Sequence, residues 1–385
     1  MLGYFILAWR YITFYRGRTV ILLLALTLTM FLPMAMRWIT ENFEQQATRR
    51  AQTTPLVIGM QGSRFGLTLH ALYFRGESQP VISYSELQRV ERSQLAQAIP
   101  LHLRFRARGV SIVGTSSKYF DLRNAALYSG EPLQRLGDCV VGYDAAQRLA
   151  IRPGDRLLSE PEGLFDLSGP APLNLRVTGI LARAGNADDE VIFCDIRTAW
   201  IMEGIGHGHS MQSGNDSSEH QHSAGQEYLQ NYQEVTDENV HTFHFHGRRS
   251  EYPLTAILAL PASEKSETLL LGKYLEPDET AQILRPIDVV TELMLVISRV
   301  RALFTWVWTL LSASTLALIV LVTMLSLRLR QREVRTMNLL GCSRGTVLWM
   351  LGTELFLVVS LSFAVAVGLA SIVSRLSDQL MLRLM

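Results

Sequence analysis

The stretch that decides the fold runs from Pro286 to Thr346 and reads PIDVVTELMLVISRVRALFTWVWTLLSASTLALIVLVTMLSLRLRQREVRTMNLLGCSRGT. Its first turns carry apolar residues alternately four and three positions apart, a spacing typical of a coiled-coil seam. These residues are Val289, Leu293, Val296, Val300 and Leu303. The 23 residues from Leu303 to Leu325 carry no charge, and at about 1.5 Å per residue they cross the roughly 30 Å hydrocarbon core of a bilayer. The stretch predicts a stalk helix that continues into a transmembrane helix.

Arginines lie at the ends of the apolar runs and predict the topology. Two further apolar runs, Val20–Met36 and Val347–Val373, are long enough to span a bilayer. One cluster of arginines precedes the first run and another follows the second: Arg10, Arg16, Arg18, and then Arg328, Arg330, Arg332, Arg335 and Arg344. Because Lys and Arg mark the cytoplasmic side, both clusters are predicted to be cytoplasmic. The long segment between the first two spans is then extracytoplasmic.

We predict a membrane α-helical fold with an inserted α+β extracytoplasmic domain, three transmembrane helices, a helical stalk and an N-terminal amphipathic helix. The predicted segments, in chain order, are the amphipathic helix (1–18), transmembrane helix 1 and stalk (19–52), the α+β domain (53–285) with a flexible His-rich insert (204–246), stalk and transmembrane helix 2 (286–327), a cytoplasmic loop (328–346), transmembrane helix 3 (347–373) and a C-terminal tail (374–385). Gly17 is expected to let the chain turn into the first span. The first stalk is expected to be able to pair with the Val289–Val300 seam.

The central segment alternates short apolar runs with turn residues, as a small α+β domain does. Predicted strands include Leu56–Gly59, Ser111–Thr115, Leu175–Ile180 and Val191–Cys194. Asp144 is expected to cap a helix, residues 152–155 (RPGD) to form a turn, and Asp195–Trp200 to start another helix. Cys139 and Cys194 either pair as a disulfide or remain two buried thiols, and the second alternative is favoured.

Composition and motifs exclude two classes of protein. The net charge is +1, so the whole chain gives no case for nucleic-acid binding. The dipeptide Gly272-Lys273 lacks the upstream glycine and the following Ser or Thr of a P-loop, so the chain is not predicted to hydrolyse ATP by that route. We find no arrangement of nucleophile and base in the central domain. The chain is therefore not predicted to be an enzyme.

Seven of the nine histidines fall inside the insert 204–246: His207, His209, His220, His222, His241, His244 and His246. The insert is rich in Gly, Ser, Gln and Asn and is too polar to fold alone. HGH, HQH and HFH place imidazoles two residues apart, which puts them on one side of an extended chain. Imidazole binds Zn, Cu and Ni, so the insert is a candidate for loose metal capture. The alternative is a polar linker enriched in histidine by chance.

The order of segments resembles that of the FtsX-like permeases, the transmembrane subunits of type VII ABC transporters of the macrolide-exporter and lipoprotein-releasing kind. The most specific part is Leu327–Leu355, where basic residues, an R-x-E, an LGCS turn and an early glutamate follow one another. Weaker matches lie in the central domain, at Ile112–Phe120, Val141-Gly142, Pro153–Asp155 and Val177–Ile180. Members of this family have four spans, whereas three are predicted here.

The resemblance implies a non-catalytic permease subunit in the bacterial inner membrane, multi-pass, with its large domain outside. A separate ABC ATPase would dock on a coupling loop formed by Arg330, Arg332, Glu333, Arg335, Leu340, Gly341, Ser343 and Arg344. The alternative role of these arginines is to fix topology and bind anionic lipid. Glu354 is interpreted as a contact of the arginine loop near the membrane surface, with a functional carboxylate inside the span as the alternative.

Such permeases are mechanotransmitters, in which hydrolysis by the partner moves an extracytoplasmic domain. The expected assembly is a homodimer, or a heterodimer with a related permease, and a periplasmic partner is considered as well. Envelope export and metal homeostasis are the two roles considered for it. The competing functions are a non-transporting regulator of an extracytoplasmic partner and a metal-binding sensor subunit.

Overall fold

The computed structural model describes residues 10, 12–14, 16–160, 171–208, 232–276, 279–329, 339 and 344–384. Its helices are α1 (Arg16–Gln52), α2 (Arg64–Tyr73), α3 (Tyr84–Ser93), α4 (Ser117–Arg123), α5 (Tyr143–Leu149), α6 (Ile196–Met202), α7 (Glu264–Gly272), α8 (Pro286–Leu329) and α9 (Arg344–Leu384). Its strands are β1 (Leu56–Met60), β2 (Ile82–Ser83), β3 (Ala96–Ala107), β4 (Val110–Thr115), β5 (Leu127–Gly130), β6 (Asp138–Val141), β7 (Arg156–Leu158), β8 (Leu173–Leu181), β9 (Ile192–Asp195), β10 (Gly206–His207), β11 (Gln233–Glu234), β12 (His244–Phe245), β13 (Pro253–Leu254), β14 (Ala256–Pro261) and β15 (Ala281–Leu284).

The chain divides into two compact units. The membrane unit consists of residues 1–45 and 293–384, and the α/β unit consists of residues 46–292. Helices α1 and α8 each contribute residues to both units.

Three helices of the described residues are long and apolar enough to cross a membrane, which confirms the three predicted spans. The segments are Thr19–Glu41, Pro286–Leu325 and Gly352–Val373. Their apolar side chains remain largely exposed along the spans, as a lipid-facing surface requires. The second segment includes the predicted stalk as well as the span, because α8 continues through both without a break.

Inside the membrane unit, α9 buries a stripe of residues that recur every four positions. The stripe consists of Glu354, Val358, Ser362, Ala366 and Ala370, each at most 7% exposed. Its small members let helix backbones approach closely, which is how helices associate in lipid. Ser362 lies against α1, where the Thr27 hydroxyl donates to the Ser362 carbonyl.

The chain bends shortly before the first span, as predicted. The Thr19 hydroxyl donates to the carbonyl of Ile12 over 3.3 Å. Residues seven apart in a straight helix would be separated by about 10 Å, so the chain bends between them. Gly17 lies between these two residues, as the second residue of α1, and its role in the turn stays a prediction.

The prediction that the first stalk pairs with the Val289–Val300 seam is wrong. Val296, Val300 and Leu303 are 53%, 45% and 67% exposed. The opposite side of α8 and two residues of α1, Thr40 and Glu44, line a cavity of about 550 Å³. The lining residues of α8 are Met294, Ile297, Ser298, Arg301, Ala302, Thr305 and Trp306. The apolar repeat predicts the helix correctly. The face of α8 that lies towards α1 is a different one, and it carries more polar residues than the repeat.

The α/β unit is built on one sheet of eleven strands, which agrees with the predicted α+β class. The path is β11-β8-β6-β9-β4-β3-β14-β1-β15, and β5 and β7 also pair with β8. The pairs β4–β9, β6–β8 and β11–β8 are parallel, and the other pairs are antiparallel. Two separate short ladders, β10–β12 and β13–β2, lie outside this path.

Two hydrophobic cores lie along this sheet, and α6 contributes to both of them. Ala199 and Ile201 of α6 join the core built on β4, β6, β8 and β9, whereas Trp200 joins the core built on β1 and β14. The Trp200 indole is 1% exposed, and its N–H donates to the carbonyl of Pro253 over 2.9 Å. The helix therefore holds the two cores in one unit.

Local signals in the sequence are partly confirmed. Residues 152–155 form the predicted turn, with Gly154 at φ +98° and the Arg152 amide bonded to the Asp155 carboxylate. Asp195 caps α6 by accepting from the Arg197 amide. Asp144 does not cap α5, because the N-cap residue is Gly142 and Asp144 lies in the first turn.

The two central cysteines face each other across neighbouring strands. Cys139 and Cys194 are register partners in the antiparallel pair β6–β9. Both are buried and carry free thiols, which agrees with the favoured alternative. Burial raises the pKa of both thiols, so both are protonated at neutral pH.

Candidate functional site

The last turns of α1 are held inside the α/β unit. Ala47 and Ala51 are 4% and 1% exposed, and the Tyr73 hydroxyl donates to the Ala47 carbonyl over 2.9 Å. The hydroxyls of Thr53 and Thr54 both donate to the Arg50 carbonyl. Backbone carbonyls at a helix C-terminus lack helical partners, so these contacts stabilise the end of the helix.

The Arg50 side chain makes the most extensive of these contacts. Its guanidinium donates to both carboxylate oxygens of Asp188, over 3.1 Å and 2.8 Å, and to the Tyr119 hydroxyl over 3.0 Å. Tyr119 in turn donates to Asp188 over 2.6 Å. The Arg50 Nε also donates to the Leu72 carbonyl. We call Arg50, Asp188 and Tyr119 the Arg50 anchor.

Asp188 is held in place by a short, strongly capped turn. It lies in a 3₁₀ helix, Ala187–Glu190, that begins with a capping box between Asn186 and Asp189. Gly142 lies directly against this turn, since a Cβ at Gly142 would come within 2.2 Å of the Asp188 carbonyl oxygen. The position therefore requires a residue without a side chain.

The electrostatics of the anchor favour the ion pair. Burial alone raises the pKa of Asp188, but the Arg50 charge and the hydrogen bonds from Arg50 and Tyr119 outweigh it and hold the pKa below its ordinary value. Burial raises the pKa of the Tyr119 hydroxyl, so it stays a donor. Asp188 is therefore ionised and fully hydrogen-bonded at neutral pH.

The start of α8 is also fixed in the α/β unit. Val289 and Val290 are each 5% exposed. Arg285, immediately before the helix, donates to Glu267 of α7 over 2.6 Å. Asp288 lies in the first turn, where a carboxylate is favourable to the helix dipole.

Most of the predicted coupling loop lies outside the described residues: Arg330, Arg332, Glu333, Arg335, Leu340, Gly341 and Ser343. Arg344 is the first residue of α9. Glu354, two to three turns further on, belongs to the buried stripe of α9 and is 6% exposed. Its predicted contact with the arginine loop falls on residues that are not described.

The structure brings together three of the seven candidate histidines. One nitrogen ligand atom from each of His207, His244 and His246 lies within 4.8 Å of the other two. The ring centroids are 4.6 Å to 4.7 Å apart. His241 lies in a neighbouring 3₁₀ helix, Val240–Thr242, and is not a member of the group. The other three candidates, His209, His220 and His222, are outside the described residues.

The Arg50 anchor was not predicted from the sequence. Arg50 and Asp188 are 138 positions apart, and neither belongs to a motif. One sequence signal points to Arg50: it is the second of two consecutive arginines in the last turn of a helix, six residues before the buried strand β1. No comparable signal identifies Asp188.

Two family models match the chain. Residues 19–225 match the MacB-like periplasmic core domain, and residues 307–385 match the FtsX-like permease C-terminal domain. The first match alone covers more than half of the 385 residues. No curated protein matches the chain.

Solved structures show two likenesses. The periplasmic region of MacB from Actinobacillus actinomycetemcomitans is similar with a TM-score of 0.35 and 11% identity, covering 63% of this chain and 94% of that one. The extracellular domain of the ABC-type transporter YknZ from Gram-positive bacteria is similar with a TM-score of 0.33 and 9% identity, covering 60% and 98%. At these TM-scores the assignment rests on the two family models. The chain therefore belongs to the FtsX-like permeases, the membrane subunits of type VII ABC transporters, and carries a MacB-like periplasmic core domain.

Proposed function

We propose that this permease transmits motion from a separate ABC ATPase to its own extracytoplasmic α/β unit. In this family the ATPase activity resides in a partner of the permease subunit. The ATPase would hold the loop that joins α8 to α9, and hydrolysis would displace that loop. The two long helices would carry the displacement to the other side of the membrane.

The observation that carries this proposal is the way both helices end. Helix α1 is continuous from Arg16 to Gln52, so one helix contains an apolar span and the Arg50 anchor. Helix α8 is continuous from Pro286 to Leu329, so one helix contains an apolar span and the buried Val289-Val290 pair. At about 1.5 Å per residue they are roughly 55 Å and 66 Å long. An end held by buried contacts transmits force better than a frayed end.

The spans themselves support work outside the membrane rather than passage through it. Leu303–Leu325 carries no charge, and the buried stripe of α9 holds a single carboxylate, Glu354. Transport paths through a bilayer are usually lined by ionisable or polar residues. The same coupling would serve export of an envelope substrate or control of an extracytoplasmic partner.

The test uses the full-length protein with its cognate ABC ATPase, as a homodimer or with a related permease, in lipid nanodiscs. Hydrogen exchange is compared between the ADP state and a trapped ATP state. We expect nucleotide-dependent exchange in residues 47–60 and 281–292. If exchange there is independent of nucleotide while the ATPase turns over, the transmission proposal is wrong.

A variant in which residues 331–340 are replaced by Gly and Ser tests the loop. We expect it to lose the ATPase on co-purification. The matched control replaces Arg248 and Arg249 of the α/β unit by alanine, which removes exposed positive charge without touching the loop. Retention of the ATPase by the loop variant would disprove the coupling-loop assignment and favour a role of these arginines in topology and lipid binding.

Metal homeostasis is the more specific role that the histidines suggest for this permease. It requires a metal site on the α/β unit. The convergence of His207, His244 and His246 is the observation that favours this candidate.

A further inference from the structure

The ladder β10–β12 has two chemically different faces. Gly206 pairs with Phe245, and His207 pairs with His244. Phe243 and Phe245 both pack against the cores of the α/β unit. Since side chains alternate along a strand, His244 and His246 point away from the cores.

A glycine opposite Phe245 makes this arrangement possible. A Cβ at Gly206 would lie 2.8 Å from the Phe245 ring, so a larger residue would push the ring out of its place. The His246 amide donates to the Ile205 carbonyl over 2.9 Å and extends the ladder by one bond. The register is therefore fixed by packing on the inner face and does not depend on the histidines.

The outer face carries the three imidazoles. His207 and His244 are directly opposite each other across the ladder. His246 is two residues beyond His244 and so lies on the same face. The three rings form a nearly equilateral triangle of centroids. Three imidazoles on one small patch are what a nitrogen-preferring metal ion requires.

One hydrogen bond already orients a ligand. The Nδ1 of His244 lies 3.2 Å from the Thr242 carbonyl oxygen. A carbonyl can only accept, so in this hydrogen bond Nδ1 carries the proton and Nε2 is the basic nitrogen of the ring. Metal-binding histidines are usually oriented by such a bond from the other ring nitrogen. A polar linker enriched in histidine by chance has no reason to show this arrangement.

We propose that His207, His244 and His246 bind one divalent transition-metal ion of the zinc class on the outer face of the β10–β12 ladder. At a Zn–N distance of about 2.0–2.1 Å, ligands of a tetrahedral ion are roughly 3.3 Å apart. The nitrogens, within 4.8 Å of one another, reach that spacing by rotation of surface side chains. Three protein ligands leave one position open, as in an exchangeable site, whereas structural sites are closed by four.

The metal would also join the two ends of the His-rich insert. His207 precedes residues 208–243, and His244 and His246 follow them. The ion would link these ends through side chains, in addition to the few backbone bonds of the ladder. This proposal concerns the α/β unit and does not depend on whether an ATPase is coupled to the permease.

The test is zinc titration of tag-free, chelator-stripped, full-length protein in nanodiscs, followed with a competing chromophoric zinc indicator. We expect one tight site per chain in the wild type. The triple variant His207→Ala, His244→Ala, His246→Ala should weaken that site at least about 100-fold, because loss of an orienting partner alone costs about 10- to 100-fold. The ladder should survive, since its register depends on the inner face.

The matched control replaces the other four histidines of the insert, His209, His220, His222 and His241, by alanine. It should keep the tight site, and Co²⁺ bound to it should show the intense visible bands of tetrahedral nitrogen coordination. Zinc should slow exchange of the His246 amide in this control and leave it unchanged in the triple variant. Unchanged affinity of the triple variant, loss of the site in the control, or failure of the wild type to bind saturably would each overturn the proposal.

Discussion

The Arg50 anchor makes the most specific energetic prediction. The side chains of Arg50 and Asp188 are each 6% exposed, so solvent screens their interaction little. Replacing Asp188 by Asn keeps the shape of the side chain but removes its charge and leaves Arg50 charged and buried. Removing one partner of a buried ion pair costs about 3–5 kcal/mol. We expect Asp188→Asn to lower the stability of the α/β unit by that amount.

This loss is large enough to measure in the full-length protein. For a domain of about 250 residues, 1 kcal/mol corresponds to about 2–4 °C in Tm, so the transition of the α/β unit should fall by roughly 6–20 °C. The assay is intrinsic-fluorescence thermal unfolding in nanodiscs. The control is Glu251→Gln, which breaks the ion pair between Arg248 and Glu251. Their side chains are 82% and 60% exposed. Such surface pairs contribute about 0–1 kcal/mol, so the control should change little.

Two further measurements test the reasoning behind the magnitude. The double variant Arg50→Met, Asp188→Leu should cost less than the sum of the two single variants, since neither charge is then buried alone. Because the pKa of Asp188 in the folded protein is below its unfolded value, its contribution is constant above the unfolded value of about 4 and is lost as pH falls through the lower folded value. Additive single variants, or an Asp188→Asn effect below about 1 kcal/mol, would refute the argument.

The other predictions concern burial, backbone approach and helix packing. Burial and a neighbouring histidine lower the pKa of His70 to about 4. Because the unfolded chain is protonated first as pH falls, the free energy of unfolding should decrease by about 3 kcal/mol between pH 6.5 and 4. His70→Gln should flatten this part of the plot of stability against pH. Gly206→Val should displace the ring opposite it and weaken zinc binding in the indicator assay, whereas Gly272→Ala, which meets no atom within 4 Å, should not. Ala366→Leu at a fully buried position should destabilise the membrane unit by about 1–3 kcal/mol in thermal unfolding, and Val365→Leu, 38% exposed one residue away, should have little effect.

Features set by local pattern were predictable from the sequence. Long apolar runs with at most one charge have few alternatives to a membrane span, so the sequence predicts the three apolar helices. The turn at residues 152–155 and the cap at Asp195 follow from the backbone preferences of single residues. A carboxylate is a favoured N-cap, which points to Asp144 as the α5 cap. The space beside the Asp188 turn admits only a glycine, and tertiary contact overrides local preference there.

Features set by long-range contact were not predictable. The stalk seam Val289–Val300 specifies a helix but not which face meets α1, and that choice depends on the geometry of the bundle. The Arg50 anchor joins residues that are far apart in sequence and share no motif. For the histidines, the sequence identifies seven candidates, and of the four that the structure describes, sheet register brings three together. The coupling loop lies outside the described residues, and its assignment stays a prediction.

The two faces of the β10–β12 ladder have a consequence for how such permeases diverge. On the inner face, any change at Gly206 or Phe245 disturbs a packed core and is removed by selection for folding. On the outer face, His207, His244 and His246 are not members of either hydrophobic core. Under the proposed metal site, a lineage would therefore gain or lose metal affinity by single substitutions there without loss of stability. Relatives that share this fold should then differ in their metal response, and the residues at these three positions should predict which of them respond.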